Sequence, residues 1–338
     1  MHGKTFFFIT LARFLTVHMH SKYFMRSIFI VILLSAASIG LKAQQDPQFT
    51  HNMFNHAFVN PGSYGLYDGV TVTGIFREQW LGFKDDEGNK VAPETFLLTA
   101  DAPIKFLRGG IGVGIAQDKE AFTKNMLVKL GYAYHLNVGN AKLGIGLNAN
   151  FNNKTIDAQK LNPVDEGDPV LLGLSADGVM ISDMSVGLFL QKPRYYIAVA
   201  STQIFETKKM PATSEGVAFY QNRRHYYFTT GYDLTLPAFQ GYVFTPSVYL
   251  KSDGNILQAD INVMAKYNNK IWGGLTYRIN DAVALMVGMA YKDIEVGYSY
   301  DIPTSKVAAT GSHEIMVRYR FKLEKEKTRK GYRNTRYL

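Results

Sequence analysis

His313-Glu314-Ile315-Met316-Val317-Arg318-Tyr319-Arg320-Phe321 is the stretch on which the reading of the fold turns. In an extended chain Ile315, Val317, Tyr319 and Phe321 share one face, while Met316, Arg318 and Arg320 share the other, because successive strand side chains alternate. An apolar face opposite a cationic one suits a strand with lipid on one side and a wet lumen on the other. A closed barrel of such strands satisfies every backbone group inside hydrocarbon. The same alternation recurs upstream, from Val70 onward. It predicts about fourteen strands, near 70–81, 94–102, 110–117, 125–138, 142–152, 184–191, 195–203, 225–236, 242–251, 257–267, 271–279, 282–291, 294–301 and 313–321. Most run to about 9–11 residues, the length a tilted strand needs to cross a bilayer.

The connections sort by parity through the first nine strands. Long polar loops are expected at 84–93, 153–183 and 204–224, and short turns at Phe106–Gly109, Gly139-Asn140 and Lys192-Pro193-Arg194. Gly139-Asn140 is a favoured hairpin dipeptide. Alternating long and short connections are the mark of an up-and-down barrel with loops outside and turns in the periplasm. The expected fold class is therefore all-β: a single antiparallel transmembrane barrel of about fourteen strands. Tyrosine pairs such as Tyr195-Tyr196 and Tyr226-Tyr227 fall at strand ends, where interfacial girdles would sit.

The N-terminus reads as an export signal. Met25-Arg26 supplies a positive start, Ser27–Ile39 an apolar run, and Leu41-Lys42-Ala43 a cleavage site before Gln44. Residues 1–43 are expected to be a cleavable signal peptide, with Met25 as an alternative true start. The chain has no cysteine, which removes thiolate chemistry, disulfides and a lipoprotein anchor. Its formal charge of +9 is concentrated in the two end segments and leaves the body close to neutral. No basic stripe remains for a nucleic acid to follow. Residues 322–338 are charged, without apolar periodicity, and read as a basic periplasmic tail.

Residues 44–69 interrupt the strand pattern. Asp46 is placed to cap a short helix with Pro47 at its first position, and Phe49, Met53, Ala57 and Phe58 then share a face before Asn60-Pro61-Gly62 ends it. Such a segment can plug the lumen, lie at the periplasmic rim, or present a partner surface, and the residues alone leave all three open.

Several phrases, taken in order, resemble the PorP/SprF family of Bacteroidetes outer-membrane proteins. They begin with Gln45-Asp46-Pro47-Gln48-Phe49-Thr50 leading to Asn60-Pro61, and continue with Arg77-Glu78-Gln79-Trp80. Next come the turn Thr99-Ala100-Asp101-Ala102-Pro103, the run Gly110–Gly114, and Asn162-Pro163-Val164-Asp165. The last are Trp272-Gly273-Gly274, Gly297-Tyr298-Ser299-Tyr300-Asp301 and Gly311-Ser312-His313-Glu314-Ile315. The resemblance spans about Gln44 to Phe321. It implies an outer-membrane component of the type IX secretion and gliding machinery. The implied partners are periplasmic ring and motor proteins and, for some members, one large secreted adhesin. Gly62-Ser63-Tyr64-Gly65 departs from the family's alanine-tyrosine-alanine-glycine phrase, and the chain continues past Phe321, where many members stop.

No residue pattern argues for catalysis or a cofactor. Ser312 and His313 are adjacent, so an extended chain sends them to opposite faces, a poor start for a nucleophile and base. His135 and His225 lie in strands without an evident serine partner, and His313-Glu314 is expected to set the register entering the last strand. Asp157, Asp165, Glu166 and Asp168 crowd one loop but lack the spacing of a calcium-binding loop. Gly110–Gly114 lies in a strand with no helix after it, so it is no phosphate cradle and is expected to ease barrel curvature. Arg77, Arg278 and Arg318 are expected to face the lumen, either as a selectivity ring or paired with carboxylates that seal it. The alternative to a secretion component is a passive or substrate-specific channel, like a porin or a fatty-acid transporter.

Overall fold

The computed structural model describes residues 47–84, 88, 90–156, 178–209, 220–304 and 310–322. Strands β1 (Gly69–Glu78), β2 (Glu94–Ile104), β3 (Gly109–Glu120), β4 (Thr123–Val138) and β5 (Ala141–Ile156) open the barrel. They are followed by β6 (Val179–Gln191), β7 (Tyr195–Thr202) and, inside a loop, the small hairpin β8 (Lys208–Lys209) and β9 (Tyr220–Gln221). The wall resumes with β10 (His225–Tyr232), β11 (Tyr242–Ser252), β12 (Leu257–Tyr267) and β13 (Ile271–Arg278). It ends with β14 (Ala282–Tyr291), β15 (Ile294–Pro303) and β16 (Ser312–Lys322). Each wall strand pairs antiparallel with the next wall strand, β7 with β10 across the β8–β9 hairpin, and β1 closes on β16 from Gly69↔Lys322 to Glu78↔His313. The result is a closed fourteen-stranded barrel, in which no strand edge is left unpaired.

The strand faces follow the alternation. In β16 Ile315, Val317, Tyr319 and Phe321 are exposed on the outer wall, whereas Glu314, Met316 and Arg318 are buried inward. No helix among the described residues is long and apolar enough to cross a membrane. Strand β1 begins and β16 ends at one rim, which also carries the short turns after β2, β4, β6, β12 and β14. The opposite rim carries the connections after β1, β5, β7 and β15.

Four local expectations change. The connection after β3 is the two-residue turn Ala121-Phe122, with Ala121 at φ 48°, because β3 and β4 extend well beyond 110–117 and 125–138. Residues Thr99 to Pro103 are strand, not turn, and pair with Gly114 to Gly110 of β3. The tyrosine pairs do not both face outward: Tyr226 is exposed while Tyr227 points into the lumen, and Tyr196 covers Gly231 on the inner face. Neighbouring strand residues cannot share a girdle. Finally, no continuous helix forms before the barrel. Residues 52–63 instead make a 3-10 turn at Asn52–Phe54, a single α-turn at His56–Val59 and a second 3-10 turn at Pro61–Ser63.

Candidate functional site

Those short turns belong to a strap, residues 47–66, that threads the barrel. Pro47 lies beside Asp118, Glu120, Thr123 and Lys154 at the long-loop rim. Gly65, at the other end, meets Asp101 near the short-turn rim. The strap is held in three layers, each built by wall residues that share the inward face of their strands.

The first layer is ionic. Glu314 accepts hydrogen bonds from the Thr50 and His51 amides, both at 2.8 Å, from His51 Nδ1 at 2.7 Å, and from Arg77 Nη1 at 3.0 Å. Asp301 receives Thr50 Oγ1 and Arg77 Nη2, both at 2.8 Å, and Arg278 Nη1 at 3.3 Å. Arg278 also donates to Asp260, which in turn accepts from Gln48 Nε2 at 3.2 Å. Arg77, Glu314, Asp301, Arg278 and Asp260 are each at most 2 % exposed. Charged side chains removed from water to this degree are costly unless paired and hydrogen-bonded, and each of these is. Register makes the pairing possible, because Arg77 stands directly opposite Glu314 across the β1–β16 seam.

The second layer is apolar. Phe49, Phe54 and Phe58 of the strap bury among Ile75, Leu97, Met264, Trp272, Met286 and Met316, all of them inward-facing wall residues. Phe49 and Phe58 meet edge-to-face at 5.9 Å, and Phe54 lies 4.6 Å from the Trp272 ring. Burying a large side chain contributes about 2 kcal/mol, so three rings supply most of the attraction while the ion pairs fix where the strap sits. Cations complete the layer: Lys129 Nζ donates to Phe58 O at 2.9 Å and lies over the Phe58 ring, and Arg318 contacts Phe54 O at 3.4 Å and pairs with Glu295.

The third layer is a glycine seat. Asn60 accepts from the Gly62 amide at 2.8 Å and donates to Leu188 O and Val199 O, both at 3.0 Å, pinning the Pro61–Ser63 turn to the wall. That turn rests on Gly144, Gly146 and Gly187; a Cβ on any of them would fall within van der Waals overlap of Gly62, Pro61 or Asn60. Gly110 and Gly112 do the same for Tyr64 and Gly65, so the Gly110–Gly114 run makes room for the strap in addition to any effect on curvature. His135 Nε2 donates to Tyr64 O at 2.8 Å.

Of the residues singled out from sequence, Gln48, Phe49, Arg77 and Glu314 meet at or beside the ionic layer, and Asn60, Pro61 and Asp101 hold the lower strap. Pro103 flanks Gly65 and lines a rim groove of about 530 Å³. Gln79, Trp80, Gly311 and Ser312 gather instead at the long-loop rim. There Gln79 N donates to Pro93 O at 2.9 Å, Trp80 N approaches Ser312 Oγ at 3.4 Å, and Gly311 lies against the Tyr300 ring. His313 points outward, 2.7 Å from the Tyr298 hydroxyl. Asp46, the signal segment, the acidic positions 157, 165, 166 and 168, the Asn162–Asp165 phrase and the tail past Lys322 lie outside the described residues. Glu314 does more than set register: it is the centre of the latch. The sequence reading missed His51, Asp260 and the apolar inner belt, and gave Thr50 and Asp301 no role beyond their place in a family phrase. The available signal was the belt itself, since Ile75, Leu97, Met264, Met286 and Met316 occupy positions that a water-filled lumen would make polar.

A family model described as type IX secretion system membrane protein PorP/SprF matches residues 41–319. No curated protein matches the chain. Among solved structures, the P. putida toluene transporter TodX aligns at 9% identity over 80% of this chain and 94% of that chain, with a TM-score of 0.47. The Ralstonia pickettii toluene transporter TbuX aligns at 14% identity over 78% and 92%, with a TM-score of 0.46. The Acinetobacter baumannii outer membrane protein Omp33 aligns at 11% identity over 76% and 100%, with a TM-score of 0.42.

Proposed function

The chain belongs to the PorP/SprF family of type IX secretion system membrane proteins, and from that premise we propose that it serves secretion as a sealed, non-enzymatic barrel that binds partners. It is an outer-membrane component of that system by family and fold. In this reading it supports the export or the surface attachment of secreted proteins or adhesins by holding them, and by contacting the periplasmic ring and motor proteins, rather than by conducting solutes. The observation that carries the reading is the buried latch. A water-filled passage leaves its charges hydrated, whereas Arg77, Glu314, Asp301, Arg278 and Asp260 are shut away from solvent against the strap. The opposed directions of Ser312 and His313 support the absence of a catalytic pair.

The test is a pull-down of the tagged protein from detergent-solubilised outer membranes, paired with conductance in a planar bilayer. Recovery of secretion-ring proteins or one large adhesin, together with a silent bilayer, is the expected result. Recovery of the barrel alone, in a form that conducts steadily, would overturn the reading in favour of a channel.

A further inference from the structure

The lumen below the strap opens at the short-turn rim into a pocket of about 280 Å³. Five cationic side chains line it, Lys192, Arg194, Lys266, Arg318 and Arg320, against the single carboxylate of Asp233. Two of the five, Lys266 at 3.2 Å and Arg318, share the one carboxylate of Glu295. Among the described residues Lys192, Arg194 and Arg320 make no ion pair. Arg320 lies over the Tyr67 ring, 4.4 Å from its centroid, and its Nε is buried without a hydrogen-bond partner. A guanidinium resting over an aromatic ring still has N–H donors to offer a planar carboxylate. Phe189 and Tyr196, stacked at 5.6 Å, form an apolar wall beside it.

We propose that this mouth is a receptor for an acidic segment of a periplasmic protein, with Arg320 as its central carboxylate contact and the Phe189–Tyr196 wall receiving an adjoining apolar or aromatic side chain. The inference rests on the partner-binding reading above and gives that partner a chemistry and a place. The rest of the rim is cationic in balance: Lys105, Arg108, Lys142, Lys270 and Lys292 stand around the mouth against Asp68, which Lys142 faces at 3.5 Å, and Asp293. Charge also excludes the chain's own tail as the occupant, because residues 322–338 carry seven basic residues and two acidic ones. Position argues against lipid. Arg318, Arg320, Lys266 and Tyr196 point inward from the wall, so the pocket lies within the barrel mouth and away from the headgroups that surround its outer face.

The test uses the full-length protein in phosphatidylcholine nanodiscs and a fluorescein-labelled oligoglutamate peptide read by anisotropy. Binding that weakens with salt, that falls about tenfold or more on Arg320→Glu and that is unchanged by Lys124→Glu, an exposed position at the start of β4 on the opposite rim, is the expected result. Arg320→Gln covers the case in which charge reversal disturbs the barrel, and both variants are first checked for a heat-modifiable folded band. Absence of binding at low salt, or binding indifferent to both Arg320 substitutions, would overturn the proposal. So would displacement of the peptide by glycerophosphate or by adding phosphatidylglycerol to the disc, which would mark a lipid site. If Arg320→Glu loses the peptide but still recovers secretion-ring proteins in the pull-down, the partner-binding reading stands and this pocket is not its contact.

Discussion

Glu314 collects four donors from three residues, and its environment makes it the residue whose loss has the clearest consequence. Replacing it by glutamine keeps the volume but removes the charge that Arg77 and the Thr50 and His51 amides face. Removing one partner of a buried ion pair costs about 3–5 kcal/mol. Asp301 still engages Arg77 and Thr50, so the loss is expected at the lower end of that range. Glu314→Gln is therefore expected to loosen the strap while leaving the strand ladder intact. Protease added to folded protein should cleave within residues 47–66 of the variant and spare the wild type, with the heat-modifiable barrel band unchanged in both. Equal protection would show that the apolar layer alone holds the strap. His313 provides the contrast at this scale. It faces outward on Tyr298, so His313→Ala is expected to leave strap protection unaltered, with protection lost only if the outer wall and the latch are coupled.

At the scale of elements, the strands were legible and the strap was not, for reasons that lie in periodicity. A lipid-facing strand must alternate, and β1, β12 and β16 do so plainly, with exposed Phe76, Ile261, Val263, Ile315 and Val317 interleaved with buried partners. Residues 47–66 offer only the helical spacing of Phe49, Met53, Ala57 and Phe58, and the segment folds as separate short turns instead. Their turns are too short to be stable alone and exist only because the wall supplies hydrogen-bond partners and space. Glycine carries that space, and a glycine in a strand pattern reads equally as a bend or as a close approach. Gly144 distinguishes the two. A methyl group there would collide with the Gly62 carbonyl, whereas one on Gly273 would meet Met286 O at an ordinary 3.5 Å. Gly144→Ala is thus expected to displace the Pro61–Ser63 turn at a cost of about 1–3 kcal/mol, and Gly273→Ala to be close to neutral. Protease sensitivity of the strap and the thermal midpoint of the folded band read both. Matching behaviour of the two variants would mean that the seat does not hold the turn.

For the whole molecule, the strap binds closure and contents into one event. Thr50 and His51, near the start of the described chain, touch Glu314 in the last strand, and Glu314 lies opposite Arg77 across the seam that closes the barrel. Contacts of such sequence separation form late, because the entropy of closing the intervening loop comes before their reward. The seam and the latch are therefore expected to form together around a strap already inside. The same geometry fixes an order of exposure. If the short-turn rim faces the periplasm, as the distribution of long and short connections requires, the strap enters from there at Gly65 and ends with Pro47 among the outer loops. Because the chain lacks cysteine, single cysteines report this directly. Asn255→Cys, in the β11–β12 connection, and Pro47→Cys are expected to react with a membrane-impermeant maleimide on intact cells. Lys292→Cys, in the β14–β15 turn, is expected to react only after the outer membrane is permeabilised. Labelling of Asn255→Cys and Lys292→Cys in the reverse order would invert the barrel. Labelling of Pro47→Cys together with Lys292→Cys alone would mean that the strap does not thread the lumen in the membrane, and the sealed barrel would then have to be given up.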